Sequence, residues 1–185
     1  MWPLCVAGFE RSFTSTYTVA SEDTDGAVAY SIAFTDALGN AGTAVTSGSG
    51  SVSVDNTSPT MTITSSTVSS GDTSNDTSIA LTFTSSEATT NFAVGDITAT
   101  GGTLSNFASS SSTVYTATFT ASSNGATSID VAAGTYTDAT GNSNTEATQF
   151  TWTMDAVPPT MVVTSSTVSN GCLLYTSPSP RDKTV

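Results

Sequence analysis

Bulky apolar residues enter this chain singly, at every second position. In SIALTFT, Ile79, Leu81 and Phe83 fall on one face while Ala80, Thr82 and Thr84 fall on the other. TVYTATFTA sets Tyr115, Ala117, Phe119 and Ala121 opposite Val114, Thr116, Thr118 and Thr120, and TQFTWTMD sets Phe150, Trp152 and Met154 on one side. A period of two with β-branched outer residues predicts half-buried strands, because Thr suits the exposed face of a pleated sheet. No window carries an apolar stripe at helical spacing. Gly, Asn and Asp clusters such as SSGDTSND, ATGG and SSNG punctuate the runs as turns. Ser and Thr exceed a third of the residues, which alone would suggest a disordered linker; the alternation argues instead for an all-β chain of short strands.

A long repeat organises those strands. DNTSPTMTITSSTVSSG begins at Asp55 and DAVPPTMVVTSSTVSNG at Asp155, 100 residues later. TDALGN, with Asp36, returns as TDATGN, with Asp138. A period near 100 residues is too long for a solenoid unit and suits tandem β-sandwich domains. One module is complete, over residues 57–157, with strands expected at 61–67, 78–85, 96–100, 103–107, 113–121, 127–137 and 145–155. About seven such strands predict an immunoglobulin-like β-sandwich, with Ile79, Leu81, Phe83, Phe119, Ile129, Val131 and Trp152 in its core. Residues 9–56 read as the C-terminal part of a preceding module, and 158–171 as the first strand of a third.

On this frame SEATTNFAVGDITATGGTLSNF, TYTDATGNSNT and the DNTSPT linker resemble the bacterial immunoglobulin-like domains that occur in tandem in very large surface and secreted proteins. EDTDGAVAYSIAFTDALGNAG resembles a sister subtype of the same group. The resemblance covers residues 9–171. It implies an extracellular or cell-surface array whose modules act as spacers or adhesive units, with neighbouring modules of the same chain as partners.

The last fourteen residues break the pattern. CLLYTSPSPRDKTV, residues 172–185, replaces the Asp-Thr-Ser-Asn that the repeat calls for after Gly171. Its residues resemble the translation of a transposase-based sequencing adapter, so 172–185 is expected to be an artefact and the chain a fragment of a longer reading frame. Residues 1–8 fit no strand and are expected to be a non-native start. Cys5 and Cys172, the chain's two cysteines, fall in these segments, so no structural disulfide is expected.

Charge removes several functions. Fifteen acids stand against three basic residues and no His, for a net charge of -12. Such a chain is repelled by nucleic-acid phosphates and anionic lipid, and no apolar run approaches the roughly 20 residues of a membrane helix. Catalysis lacks a His base, and the acids sit singly in turns rather than paired in a cleft. No enzyme is expected, and ATGGT at 99–103 reads as a hairpin turn rather than a phosphate loop.

What chemistry remains lies in the acids and in the outward Thr rows. In an immunoglobulin-like module the chain enters at one end and leaves at the other, and the loops after the second and sixth strands lie at the entry end. Glu87 and the Asp138–Asn142 loop should therefore face Asp55, and the Glu22–Gly26 loop of the preceding module points at the same linker. Asp23, Asp25, Asp55, Glu87, Asp138 and Asn142 form a candidate set of hard oxygen ligands for Ca²⁺, which takes about six to eight. The alternative is scattered acidic turns that keep an array soluble. A separate reading gives the sandwich a ligand-binding face, for a polysaccharide such as a surface glycan or for ice, built on rows such as Thr116, Thr118 and Thr120. Strand propensity explains those Thr equally.

Overall fold

The computed structural model describes residues 14–48 and 52–166. The readings of residues 1–8 and 172–185 fall outside these, as do 9–13 and 167–171 of the expected flanking modules.

Ahead of the complete module, β1 (Gly26–Ala27) pairs antiparallel with β2 (Ser53–Val54). Isolated bridges join Ile32 to Val45 and Thr35 to Ala41. Tyr17, Ile32, Phe34 and Leu38 are exposed here. Eight strands follow: β3 (Met61–Ser65), β4 (Thr73–Ser74), β5 (Ser78–Ser85), β6 (Ile97–Thr100), β7 (Gly102–Ser109), β8 (Val114–Ala121), β9 (Gly125–Val131) and β10 (Phe150–Met154). They form two four-stranded sheets, one in the order β3-β5-β8-β7 and the other in the order β4-β10-β9-β6. Every pairing is antiparallel except that of β4 with β10.

The alternation in sequence becomes the core. On β5 the inward positions are Ile79, Leu81, Phe83 and Ser85; on β8 they are Tyr115, Ala117 and Phe119. Register sets Ile79 opposite Phe119 and Phe83 opposite Tyr115, while the facing sheet sets Phe150 opposite Ile129. All seven predicted core residues are 1 % exposed or less. Between the sheets Phe92, from the loop before a 3-10 turn at Val94–Asp96, meets Phe83, Phe107, Tyr115 and Tyr136 at centroid distances of 5.0 to 5.9 Å. Phe119 meets Trp152 edge-on at 5.4 Å.

Three local expectations are corrected. SSGDTSND is not all turn: the first strand ends at Ser65, the chain bends, and Thr73–Ser74 joins the opposite sheet as β4. ATGGT is not a hairpin, because β6 and β7 belong to different sheets and this segment carries the chain between them. That crossing explains the glycines. Gly101 has φ +80°, and a Cβ on Gly102 would stand 2.3 Å from the Thr120 carbonyl oxygen and 2.5 Å from the Phe119 ring. Finally, the sixth strand stops at Val131 rather than 137 and the seventh starts at Phe150 rather than 145.

The residues between them form a loop organised by Asn144, whose side chain is buried. Its Oδ1 accepts from the N–H groups of Thr135 and Tyr136 at 2.8 and 3.0 Å, and its Nδ2 donates to the carbonyls of Ala132 and Thr145, both at 2.9 Å. A buried backbone group must find a partner, and one amide supplies four.

Candidate functional site

The repeated motif folds alike at both of its positions. Asp36 donates its N–H to the Asn40 carbonyl at 2.9 Å, and its Oδ1 accepts from the N–H groups of Leu38 and Asn40 at 2.9 and 2.8 Å. Asp138 donates to the Asn142 carbonyl at 3.1 Å, and its Oδ1 accepts from the N–H groups of Thr140, Gly141 and Asn142 at 2.9, 2.7 and 2.9 Å. The glycine in each motif takes a positive φ, 89° at Gly39 and 103° at Gly141, which closes the turn without a Cβ penalty.

In the complete module this loop reaches the linker. Thr140 Oγ1 lies 2.9 Å from Asp138 Oδ1 and 3.1 Å from Asp55 Oδ2. Asn142 Nδ2 donates to the Asp55 carbonyl and to Asp138 Oδ2, both at 2.9 Å. From the other side, Asn56 donates its N–H to Asp25 Oδ1 at 2.6 Å and its Nδ2 to the carbonyls of Ala20 and Asp23 at 3.0 Å each. Thr57 Oγ1 donates to Asp25 Oδ2. The three residues 55–57 are thus hydrogen-bonded to structure on both sides.

Against this linker stand three carboxylates. Asp55, Glu87 and Asp138 each place an oxygen within 4.8 Å of the others. Glu87 follows β5, beside Ser86, whose Oγ accepts from the Thr60 N–H at 2.9 Å. Its carboxyl is raised above the ordinary value by desolvation first, then by the charges of Asp55, Asp138 and Asp25. Asp138 goes the other way. Its burial favours the proton, but the bonds from Asn142, Thr140 and Gly141 overcome that and hold it at about 2. The repulsion within the group therefore falls on Glu87.

Asp25 lies near enough to act on Glu87 through its charge, and its own carboxyl is lowered by Thr57 and then Asn56. Asp23 stands apart from the group of three: it is lowered by the Tyr17 hydroxyl and by the Ala20 N–H, which reaches its Oδ2 at 2.7 Å. Asn142 enters through its amide nitrogen, tying the loop to the linker. Three further participants carried no sequence signal. Thr140 and Thr57 are two Thr among many, and Asn56 lies in a linker whose bonding depends on the distant Ala20–Asp25 segment.

As a donor set the group fits a hard cation. It offers three carboxylate oxygens at close quarters, with the Thr140 hydroxyl beside two of them.

Two four-stranded sheets packed face to face, with the first strand divided between them, define an immunoglobulin-like β-sandwich. The sequence profile of the bacterial Ig-like domain matches residues 55–154. The chain belongs to that family, whose modules are of a structural, adhesion type. No curated protein and no solved structure matches it. Among the described residues no helix is long and apolar enough to cross a membrane.

Proposed function

We propose that the complete module is a non-enzymatic spacer in the tandem array of a large extracellular adhesin, and that Ca²⁺ stiffens its junction with the preceding module. The observation that carries this reading is the linker. A spacer must transmit orientation from one module to the next, and residues 55–57 are hydrogen-bonded to both sides rather than hanging free. Asp55, Glu87 and Asp138, with Asp25 beside them, would supply the cation's oxygens, and Thr140 and Asn142 would hold the loop that presents them. A bound divalent charge would relieve the repulsion that, after desolvation, raises Glu87, and binding only the assembled junction stabilises it by mass action.

Calorimetric titration of Ca²⁺ into the chain, with Mg²⁺ as the comparison, tests the site. Uptake in the range of about 10⁻⁴ to 10⁻³ M, as for extracellular modules, is expected, with loss in the Asp55→Ala, Glu87→Ala double variant. Absence of uptake at millimolar Ca²⁺, or uptake unchanged in the double variant, would remove the cation from the account.

A second reading rests on cross-strand register. The outward Thr rows continue over the β3-β5-β8-β7 sheet, with Thr64 opposite Thr82 and Thr82 opposite Thr116, and with Thr103 opposite Thr120. This face would suit an uncharged polysaccharide or ice. A glycan-array and ice-recrystallisation assay on the Thr82→Lys, Thr116→Lys variant separates the two readings, since a spacer loses nothing by it.

A further inference from the structure

The turn between β8 and β9 repeats, with one change, the turn that precedes β1. Gly26 opens β1 opposite Val54, and Gly125 opens β9 opposite Met154; their φ angles are 130° and 134°. The residue before each glycine holds the linker downstream. Asp25 Oδ1 accepts from the N–H of Asn56, and Asn124 Oδ1 accepts from the N–H of Ala156 at 3.0 Å. Asn56 and Ala156 are themselves equivalent, each following the Asp that ends its module. One position of the fold is thus a clamp on the outgoing linker, a carboxylate in the first unit and an amide in the complete module.

We infer that Asn124 is a site of spontaneous deamidation, and that its aspartate product turns the amide clamp of the complete module into the carboxylate clamp seen at Asp25. The chemistry needs only water. The backbone nitrogen of Gly125 attacks Asn124 Cγ, the Cγ–Nδ2 bond breaks, and the amide nitrogen leaves as ammonia with the proton from Gly125. Water then opens the five-membered succinimide at either carbonyl, giving aspartate or isoaspartate and one new negative charge.

Three features converge on this residue. Gly125 has no Cβ to hinder ring closure, and of the asparagines among the described residues only Asn124 is followed by glycine. Asn124 and Gly125 are both exposed, so water reaches the ring. The Ala156 N–H points at Oδ1 of the carbonyl under attack, where it polarises the bond and stabilises the oxygen's developing charge. By contrast the Asn144 side chain is buried and spends all its polar atoms on the loop.

The test is peptide mapping by mass spectrometry of the full chain, sampled through incubation at mildly alkaline pH. The peptide holding Asn124 should gain one mass unit and split into aspartate and isoaspartate forms, at least about tenfold faster than those holding Asn91, Asn106 or Asn142, whose following side chains obstruct the ring. Asn124→Gln should abolish the gain without altering the circular dichroism spectrum. Asn170-Gly171, outside the described residues, supplies the same dipeptide in the same sample: conversion at Asn170 with Asn124 intact would overturn the inference. In the Asn124→Asp variant, hydrogen exchange at the Ala156 amide should be as slow as in the parent or slower. Faster exchange would show that a carboxylate does not take over the clamp.

Discussion

At the scale of single residues, Glu87 and Asp138 carry opposite linkages. Glu87 holds its proton more tightly folded than unfolded, because of desolvation and the charges of Asp55, Asp138 and Asp25. Its protonated form favours folding, and that contribution disappears as pH rises through its folded value. Glu87→Gln should therefore raise the melting temperature at neutral pH in chelator; an unchanged or lower value would show that the group repels nothing. Asp138, held at about 2, does the reverse. Its contribution is complete above about pH 4 and is lost as pH falls toward about 2, so Asp138→Asn should flatten the acid limb of a stability–pH curve. Asn144→Ala would strand the buried N–H groups and carbonyls that its amide now satisfies. A loss of about 2–4 kcal/mol in urea unfolding is expected, against under about 0.5 kcal/mol for Ser123→Ala at an exposed position.

At the scale of elements, the crossing from β6 to β7 is the tightest point. A methyl at Gly102 would press on the Thr120 carbonyl and the Phe119 ring, and neither can retreat from a packed core. Gly102→Ala should cost about 3 kcal/mol or more, while Gly95→Ala, which meets nothing within 4 Å, should change little. Equal effects in a denaturant series would contradict the crossing. This element also shows what the sequence could convey. The strands β5, β8 and β10 were legible because their inner positions are large and their outer ones small, so period two was plain. ATGGT read as a hairpin because two glycines announce a sharp bend without saying which sheet lies beyond it. Strand β4 was hidden because Thr73–Ser74 pairs through its backbone inside a run of turn residues. The meeting of Asp138, Glu87 and Asp55 followed from loop positions in the fold, whereas Thr140 and Asn56 needed the side-chain geometry itself.

At the scale of the whole molecule, the complete module encloses its own core, while the unit before it leaves Ile32, Phe34 and Leu38 exposed. A module of about 100 residues buries enough surface to fold alone. Residues 55–158 should give a β-type circular dichroism spectrum and one cooperative melt; a helical spectrum or a gradual transition would deny the module its independence. The larger claim is that consecutive modules are held in line at the linker by a cation. Small-angle scattering of the chain measures this directly, with Ca²⁺ and with chelator. An elongated particle is expected, whose maximum dimension grows and whose flexibility falls when Ca²⁺ is added, with both changes lost in the Asp55→Ala, Glu87→Ala variant. Identical scattering with and without Ca²⁺ would contradict it.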